Sequence, residues 1–335
     1  MKKCVRLQAA LAAALMALPL GGCAPRQETG ELRTIDVCEV THSVFYAPQY
    51  VAMSQGFFAE EGLSVELTVG QGADKVMAAV LSGSVDIGLA GPEASIYVME
   101  EGRQDYPQVF AQLTQRDGSF LVGREPKEDF QWEDLRGSHL LPGRKGGVPY
   151  MTLEYVLQEH GLVPGEDLLF DDSVDFSMMA AAFAAGTGDY VTIFEPTASA
   201  MELQGQGHIL ASVGQAGGEI PFTAYFAAGS RLAEEPELFE GFTRAIYRGQ
   251  KWVEEHSPEE VAEVLQPYFA DTDPAVMISV VENYKAIDAW AHTPVMSRPG
   301  FEKLQDIMQQ AGQLKERVSY DDLVENRFAE AVTAE

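Results

Sequence analysis

Short apolar runs alternate with amphipathic stretches along most of the chain, and the alternation predicts strands and helices in turn. Residues 34–40, 65–69, 85–90, 109–115 and 119–123 read as strands. Helical spacing of apolar positions falls at 48–61, 74–81 and 92–101, with Gly62 and Gly83 placed to end the first two and Pro92 suited to a first turn. The middle third repeats the plan. Strands are expected at 138–141, 168–170, 190–194, 208–212 and 223–228, and helices at 148–160, 177–185 and 196–204. After Ser230 only helical patterns remain, at 236–256, 275–288, 301–311 and 320–332. Ser257-Pro258-Glu259-Glu260 is a strong start signal, and Asp273-Pro274 repeats it. Alternating elements of this kind argue for an α/β fold with largely parallel sheets.

The start of the chain has a different texture. Lys2, Lys3 and Arg6 precede an apolar run at 9–20, too short to span a bilayer but right for an export signal. Leu20-Gly21-Gly22-Cys23 resembles the lipobox of bacterial lipoproteins, which implies cleavage before Cys23 and lipid on its thiol. An ordinary secretory signal or a buried core helix is the alternative. Residues 24–33 lack periodicity and read as a tether. Cleavage removes Lys2, Lys3 and Arg6 and takes the net charge from −28 to −31. It also removes Cys4, so with Cys23 lipidated only Cys38 is left, too few for an internal disulfide.

Composition narrows the classes. The 335 residues are 46% hydrophobic and 22% charged, as in an ordinary globular protein, which excludes collagen-like, low-complexity and polytopic membrane chains. With 51 acidic against 23 basic residues and no basic stripe, a nucleic-acid partner is not expected. The six histidines fall at 42, 139, 160, 208, 256 and 292 without metal-type spacing, and no Gly-x-Ser-x-Gly elbow occurs. No catalytic residue, metal or cofactor is expected.

Four motifs occur in order. They are Ala47-Pro48-Gln49-Tyr50-Val51-Ala52 running into Gly56-Phe57-Phe58; Gly72-Ala73-Asp74 with Leu81-Ser82-Gly83-Ser84-Val85-Asp86-Ile87-Gly88; Trp132-Glu133-Asp134-Leu135-Arg136-Gly137 with Gly146-Gly147; and Asp189-Tyr190 with Phe194-Glu195-Pro196-Thr197. Over residues 34–330 the chain resembles solute-binding proteins of ABC importers, in particular those for sulfonates, taurine and thiamine pyrimidines. The resemblance implies a type II periplasmic-binding-protein fold, two α/β lobes around a ligand cleft with a helical C-terminal part. It implies a small-molecule solute, an ABC permease with its ATPase as partners, a monomer, and a location outside the cell membrane, held there by the N-terminal lipid. The expected division is a signal at 1–22, an anchor and tether at 23–33, lobe I at 34–124 and 223–335, and lobe II at 125–222. Residues 123–127 and 217–223 are the expected crossings.

Ligands in open α/β sheets sit beyond the carboxyl ends of strands. Those positions supply the candidate residues. After the first strand come His42, Ser43, Phe45 and Tyr46, with capping and lobe packing as the alternative roles. Gly72 and Ala73 follow the second strand and offer amide groups or a plain turn. Pro92 and Glu93 follow the third, where Glu93 either faces the cleft or complements a helix dipole. Arg116 ends the next strand and is otherwise a solvated turn residue. Gly147 opens a helix beside Arg144 and Lys145. Glu195 is a cleft carboxylate or an N-cap, and Tyr225 an aromatic wall or core packing. Two carboxylates suit a ligand that donates N–H groups, such as an aminopyrimidine, better than a sulfonate or nitrate, while Arg116 and Arg144 argue the other way. Two other classes stay open. One is an enzyme of pyrimidine metabolism, against which the lack of a cysteine cluster counts; the other is a solute sensor.

Overall fold

The chain lays down two five-stranded sheets in succession and then returns to the first. In the computed structural model, residues 31–335 are described, so the expected signal, Cys23 and most of the tether lie outside the described residues. The first passage runs β1 (Arg33–Glu39), α1 (Ala47–Ser54), α2 (Phe57–Glu60), β2 (Leu63–Val69), α3 (Ala73–Leu81), β3 (Ile87–Ala90), α4 (Glu93–Glu100) and β4 (Pro107–Thr114). The second runs β5 (Ser119–Gly123), β6 (His139–Leu141), α5 (Val148–Glu159), β7 (Leu169–Phe170), α6 (Met179–Ala184), β8 (Tyr190–Phe194), α7 (Thr197–Leu203), β9 (His208–Ser212) and α8 (Val213–Gly217). The return is β10 (Thr223–Ala228), followed by α9 (Gly229–Glu234), α10 (Pro236–Glu255), α11 (Pro258–Leu265), α12 (Pro274–Ala286), α13 (Arg298–Gln310), α14 (Tyr320–Leu323) and α15 (Arg327–Thr333).

Strand order is β2-β1-β3-β10-β4 in one sheet and β7-β6-β8-β5-β9 in the other. β10 runs antiparallel to β3 and β4, and β5 antiparallel to β8 and β9. The carboxyl ends of β1 to β4 therefore share one edge with the start of β10. The carboxyl ends of β6 to β9 share one edge with the start of β5.

This order corrects one expectation. The expected division puts residues 119–123 in the first lobe, with a crossing at 123–127. Ser119 instead pairs with Phe194, and Phe120 with Ser212, in the second sheet. The chain crosses at 115–118 and returns at 218–222. β5 is buried at every position, so its pattern does not tell which sheet it joins.

Three expected helices are divided. Gly56 takes φ +74° and separates α1 from α2 within the expected 48–61. Residues 320–332 break after Leu323, where Val324 bridges β4 at Val109. A 3-10 turn at Phe176–Met178 precedes α6. The short helices α8 and α9 carry too few turns to leave a periodic signal.

The start signals act as the sequence indicates. Ser257 Oγ accepts from Glu260 N at 3.3 Å and Glu260 Oε2 accepts from Ser257 N at 2.9 Å, which closes a capping box. Asp273 caps α12 through Ala275 N at 2.8 Å. The long α10 buries one face on α1 and the first sheet. A side chain at Gly249 would meet the Pro48 carbonyl at 2.2 Å, so glycine lets the two helices approach. α12 packs on α7 and α13 on α5, so the C-terminal helices touch both sheets' layers.

Candidate functional site

The strand-end edges of the two sheets meet. Phe45, past the end of β1, lies 6.0 Å from Phe194 at the end of β8 and 5.1 Å from Tyr284 of α12, measured between ring centroids. Its ring lies over Gly118 of the crossing, where a Cβ would come within 2.6 Å of it. Farther out, the Tyr97 hydroxyl of α4 donates to the Gly146 carbonyl at 3.2 Å, and Arg144 reaches Asp74 of α3 at 2.8 Å. Phe45 is thus a wedge between the layers, while Arg144, Gly146 and Gly147 approach the first sheet's α3 and α4.

Glu93 stands at the centre of this edge. β3 ends at Ala90, Gly91 turns the chain, Pro92 precedes the helix, and Glu93 is the first residue of α4. Its carboxylate folds back over Gly91, where a Cβ would come within 1.9 Å of Oε2. Glycine is therefore required for this rotamer. Glu93 is 5% exposed, and its Oε2 has no hydrogen-bond partner among the described residues. Burial pushes its pKa up to about 7, against the opposing pull of the α4 amides and Arg144. The Tyr46 phenol is buried nearby. Burial, then the charges of Glu39 and Glu93, raise its pKa and keep it a neutral donor. Ser95 Oγ, in the first turn of α4, is also buried without a partner among the described residues.

Other expected residues are placed elsewhere. Tyr225 faces the helical side of the first sheet, fully buried, and donates to Gln49 Oε1 at 2.9 Å. It is core packing, since β10 turns that face toward α1 and α10. His42 stacks on Phe269 with centroids 4.5 Å apart, and its ring nitrogens lie 2.8 Å from the Tyr50 hydroxyl and 2.9 Å from the Tyr268 carbonyl. Ser43 caps the turn at Val44–Tyr46 by accepting from Phe45 N at 3.2 Å.

Glu195 is buried, and its oxygens are already engaged. They accept from Ser199 N at 2.8 Å, Ser199 Oγ at 2.7 Å and Asn283 Nδ2 at 2.7 Å. These bonds favour the structural alternative for Glu195 over a ligand-facing carboxylate. It holds the start of α7 and ties α7 to α12. Arg116 turns toward Asp288, 3.7 Å away, and its Nε is buried without a partner among the described residues. Gly72 and Ala73 begin α3 beside the Arg144–Asp74 pair.

Two buried acids were not anticipated. Glu39 ends β1 and accepts from Gln49 at 2.9 Å and Tyr50 at 2.8 Å, with His42 Nδ1 3.2 Å away. Burial raises its pKa, and these hydrogen bonds oppose the rise. An acid closing an apolar strand, with Gln49 and Tyr50 one helix later, was the available signal. Asp117 lies on the crossing, fully buried. Its Oδ1 accepts from Ser119 N at 2.7 Å and Ser119 Oγ at 2.6 Å, while Oδ2 has no partner among the described residues. Burial pushes its pKa up to about 7.

Two open cavities lie away from this edge. One of about 450 Å³ is bounded by α6, α7 and residues 271–276, and one of about 250 Å³ by α10 and residues 284–292. Neither is lined by an expected site residue. Among the described residues, no three His, Cys, Asp or Glu side chains converge as a metal site, and no helix is long and apolar enough to cross a membrane.

Comparison with known proteins agrees with this architecture. The family model described as NMT1-like matches residues 40–266. A Bacillus subtilis (strain 168) protein named "Putative binding protein YtlA" is 46% identical over 304 residues, 91% of each chain. The ligand-binding component of an ABC-type import system from Staphylococcus aureus, solved with zinc bound, superposes with a TM-score of 0.71 at 14% identity, covering 90% of this chain and 99% of that one. The alkanesulfonate-binding protein SsuA from Xanthomonas axonopodis pv. citri, bound to MOPS, superposes with a TM-score of 0.67 at 18% identity, covering 89% and 99%. The shared architecture is the α/β periplasmic-binding-protein fold.

Proposed function

The chain belongs to the NMT1-like family, and on that premise we propose that it is the extracytoplasmic solute-binding component of an ABC importer. It takes a small organic molecule between the two strand-end edges and delivers it to a permease driven by an ATPase. It acts as a monomer, by binding and without covalent chemistry. Lipid on Cys23 holds it at the outer face of the cell membrane. The lobes divide at the two crossings, residues 115–118 and 218–222, and closing them over the ligand stabilises the bound state by contacts the open state lacks.

The observation that carries the ligand reading is the Glu93 carboxylate, buried at the carboxyl end of β3 with Oε2 unpartnered and the Tyr46 phenol nearby. An acceptor held in that way costs stability unless a ligand donor meets it. The ligand is therefore a neutral or cationic molecule bearing N–H groups, such as an aminopyrimidine, with Phe45 and Tyr46 as aromatic neighbours. A second reading, an alkanesulfonate or nitrate, is favoured by Arg144, whose charge acts on Glu93, and by the likeness to SsuA.

Thermal unfolding of residues 24–335 against aminopyrimidines, thiamine, riboflavin, taurine, alkanesulfonates and nitrate separates the two. A ligand at a hundred times its Kd adds about 2.7 kcal/mol. Stabilisation by an amino compound, lost in Glu93→Gln, is the expected result. Stabilisation by sulfonates that survives in Glu93→Gln overturns the first reading in favour of the second.

A further inference from the structure

We infer that Asp117 is a second carboxylate of the ligand site, and that the ligand carries two separate N–H-bearing groups, one for Glu93 and one for Asp117. This rests on the reading of Glu93 above and extends it.

The two acids are placed alike. Glu93 follows the end of β3 by three residues, and Asp117 follows the end of β4 by three. β10 lies between those strands, so their ends are about 10 Å apart at the usual strand spacing. Both side chains are at least nine-tenths buried, and each leaves one carboxylate oxygen without a partner among the described residues. Phe45 links their surroundings: its ring lies 6.1 Å from that of Tyr46 and covers Gly118, the residue after Asp117.

Local structure accounts for only half of Asp117. The turn over the crossing needs one acceptor, Oδ1, for the amide and hydroxyl of Ser119. Asparagine or serine would serve there at lower cost, because a buried carboxylate with a bare oxygen is expensive. The crossing is also the segment both sheets share. A donor that reaches Oδ2 would therefore hold the hinge and the first sheet together, and closure would depend on the ligand's second group.

The test uses three probes: 2-aminopyrimidine, 5-(aminomethyl)pyrimidine and 2-amino-5-(aminomethyl)pyrimidine. Calorimetric titration of the wild-type protein should give at least tenfold tighter binding of the two-group probe than of either single-group probe. Asp117→Asn, which keeps an acceptor for Ser119, should erase that advantage while still binding one single-group probe. Titration in two buffers of different ionisation enthalpy supplies a second readout. The two-group probe should release more protons from the wild type at pH 7 than a single-group probe, and the excess should vanish in Asp117→Asn. If the two-group probe has no advantage, or keeps it in Asp117→Asn, the role of Asp117 is overturned while the Glu93 reading stands. If no amino probe binds and alkanesulfonates do, both fall together.

Discussion

Arg144 Nη1 lies 2.8 Å from Asp74 Oδ1, and this ion pair joins the loop after β6 to the first turn of α3. The two residues belong to different sheets' layers, so under the proposed closure of the lobes the pair should form only when the edges are together. Both side chains are more than half exposed, and an exposed pair adds little to folding. Its effect should appear in the open–closed balance. Asp74→Asn should release ligand several-fold faster, measured by stopped-flow fluorescence, with the association rate and Tm nearly unchanged. An unchanged release rate would remove the pair from the closure mechanism.

The pKa of Glu93 near 7 gives ligand binding a sign with pH. A ligand bearing an ammonium group needs the carboxylate ionised. Below pH 7 the free protein holds the proton and part of the binding energy goes to releasing it. Affinity should rise roughly tenfold from pH 6 to pH 8 and level off above. A sulfonate has the opposite dependence, since it is met best by the protonated acid. Glu93→Gln should flatten that part of either profile. Calorimetry across this range checks the direction.

Much of the architecture could be read from the chain. The apolar runs at 190–194, 208–212 and 223–228 are strands with those same ends, and Ser257 and Asp273 cap helices as their spacing indicates. Glu93 could be read as a candidate because a strand, a glycine and a helix start fix its place within a few residues. What was hidden depends on distance along the chain. Glu195 Oε1 accepts from Asn283, 88 residues away, as well as from Ser199, and the spacing of Glu195 and Ser199 alone could not show that tie. β5 is buried on both faces and its choice of sheet rests on partners at 190–194 and 208–212. Glu39 and Asp117 are acids inside the fold, where a sequence reading places solvated charges by default.

The same burial of Glu93 sets a pH dependence of stability. The unfolded carboxyl titrates near 4.5 and the folded one near 7. Between those values the unfolded chain gives up its proton and the folded chain keeps it, so stability falls as pH rises from about 4.5 to about 7 and is flat beyond. The full effect is roughly 3 kcal/mol. Glu93→Gln has no such group. Its stability relative to the wild type should therefore improve by an amount of that order between pH 4.5 and pH 8, read by urea denaturation at both pH values. A constant difference across the range would mean that Glu93 is ionised throughout.

Glu195 provides the converse case, a buried acid whose work is structural. Its two oxygens accept three hydrogen bonds, and each donor is fixed: Ser199 N by α7, Ser199 Oγ by the same turn, Asn283 by α12. In Glu195→Gln one of those donors must face an amide NH2 whichever way the side chain is turned. Hydrogen bonds to a charged acceptor contribute about 1.5–3 kcal/mol, so the substitution should cost about 2 kcal/mol in urea denaturation. Asn283→Ala should cost a similar amount, and the double variant less than the sum, because the two residues share one interaction. Affinity for the ligand should stay within twofold in all three, since the Glu195 oxygens and Asn283 Nδ2 are spent on tying α7 to α12. Loss of binding in Glu195→Gln with stability intact would return Glu195 to the ligand site and place Asn283 beside it.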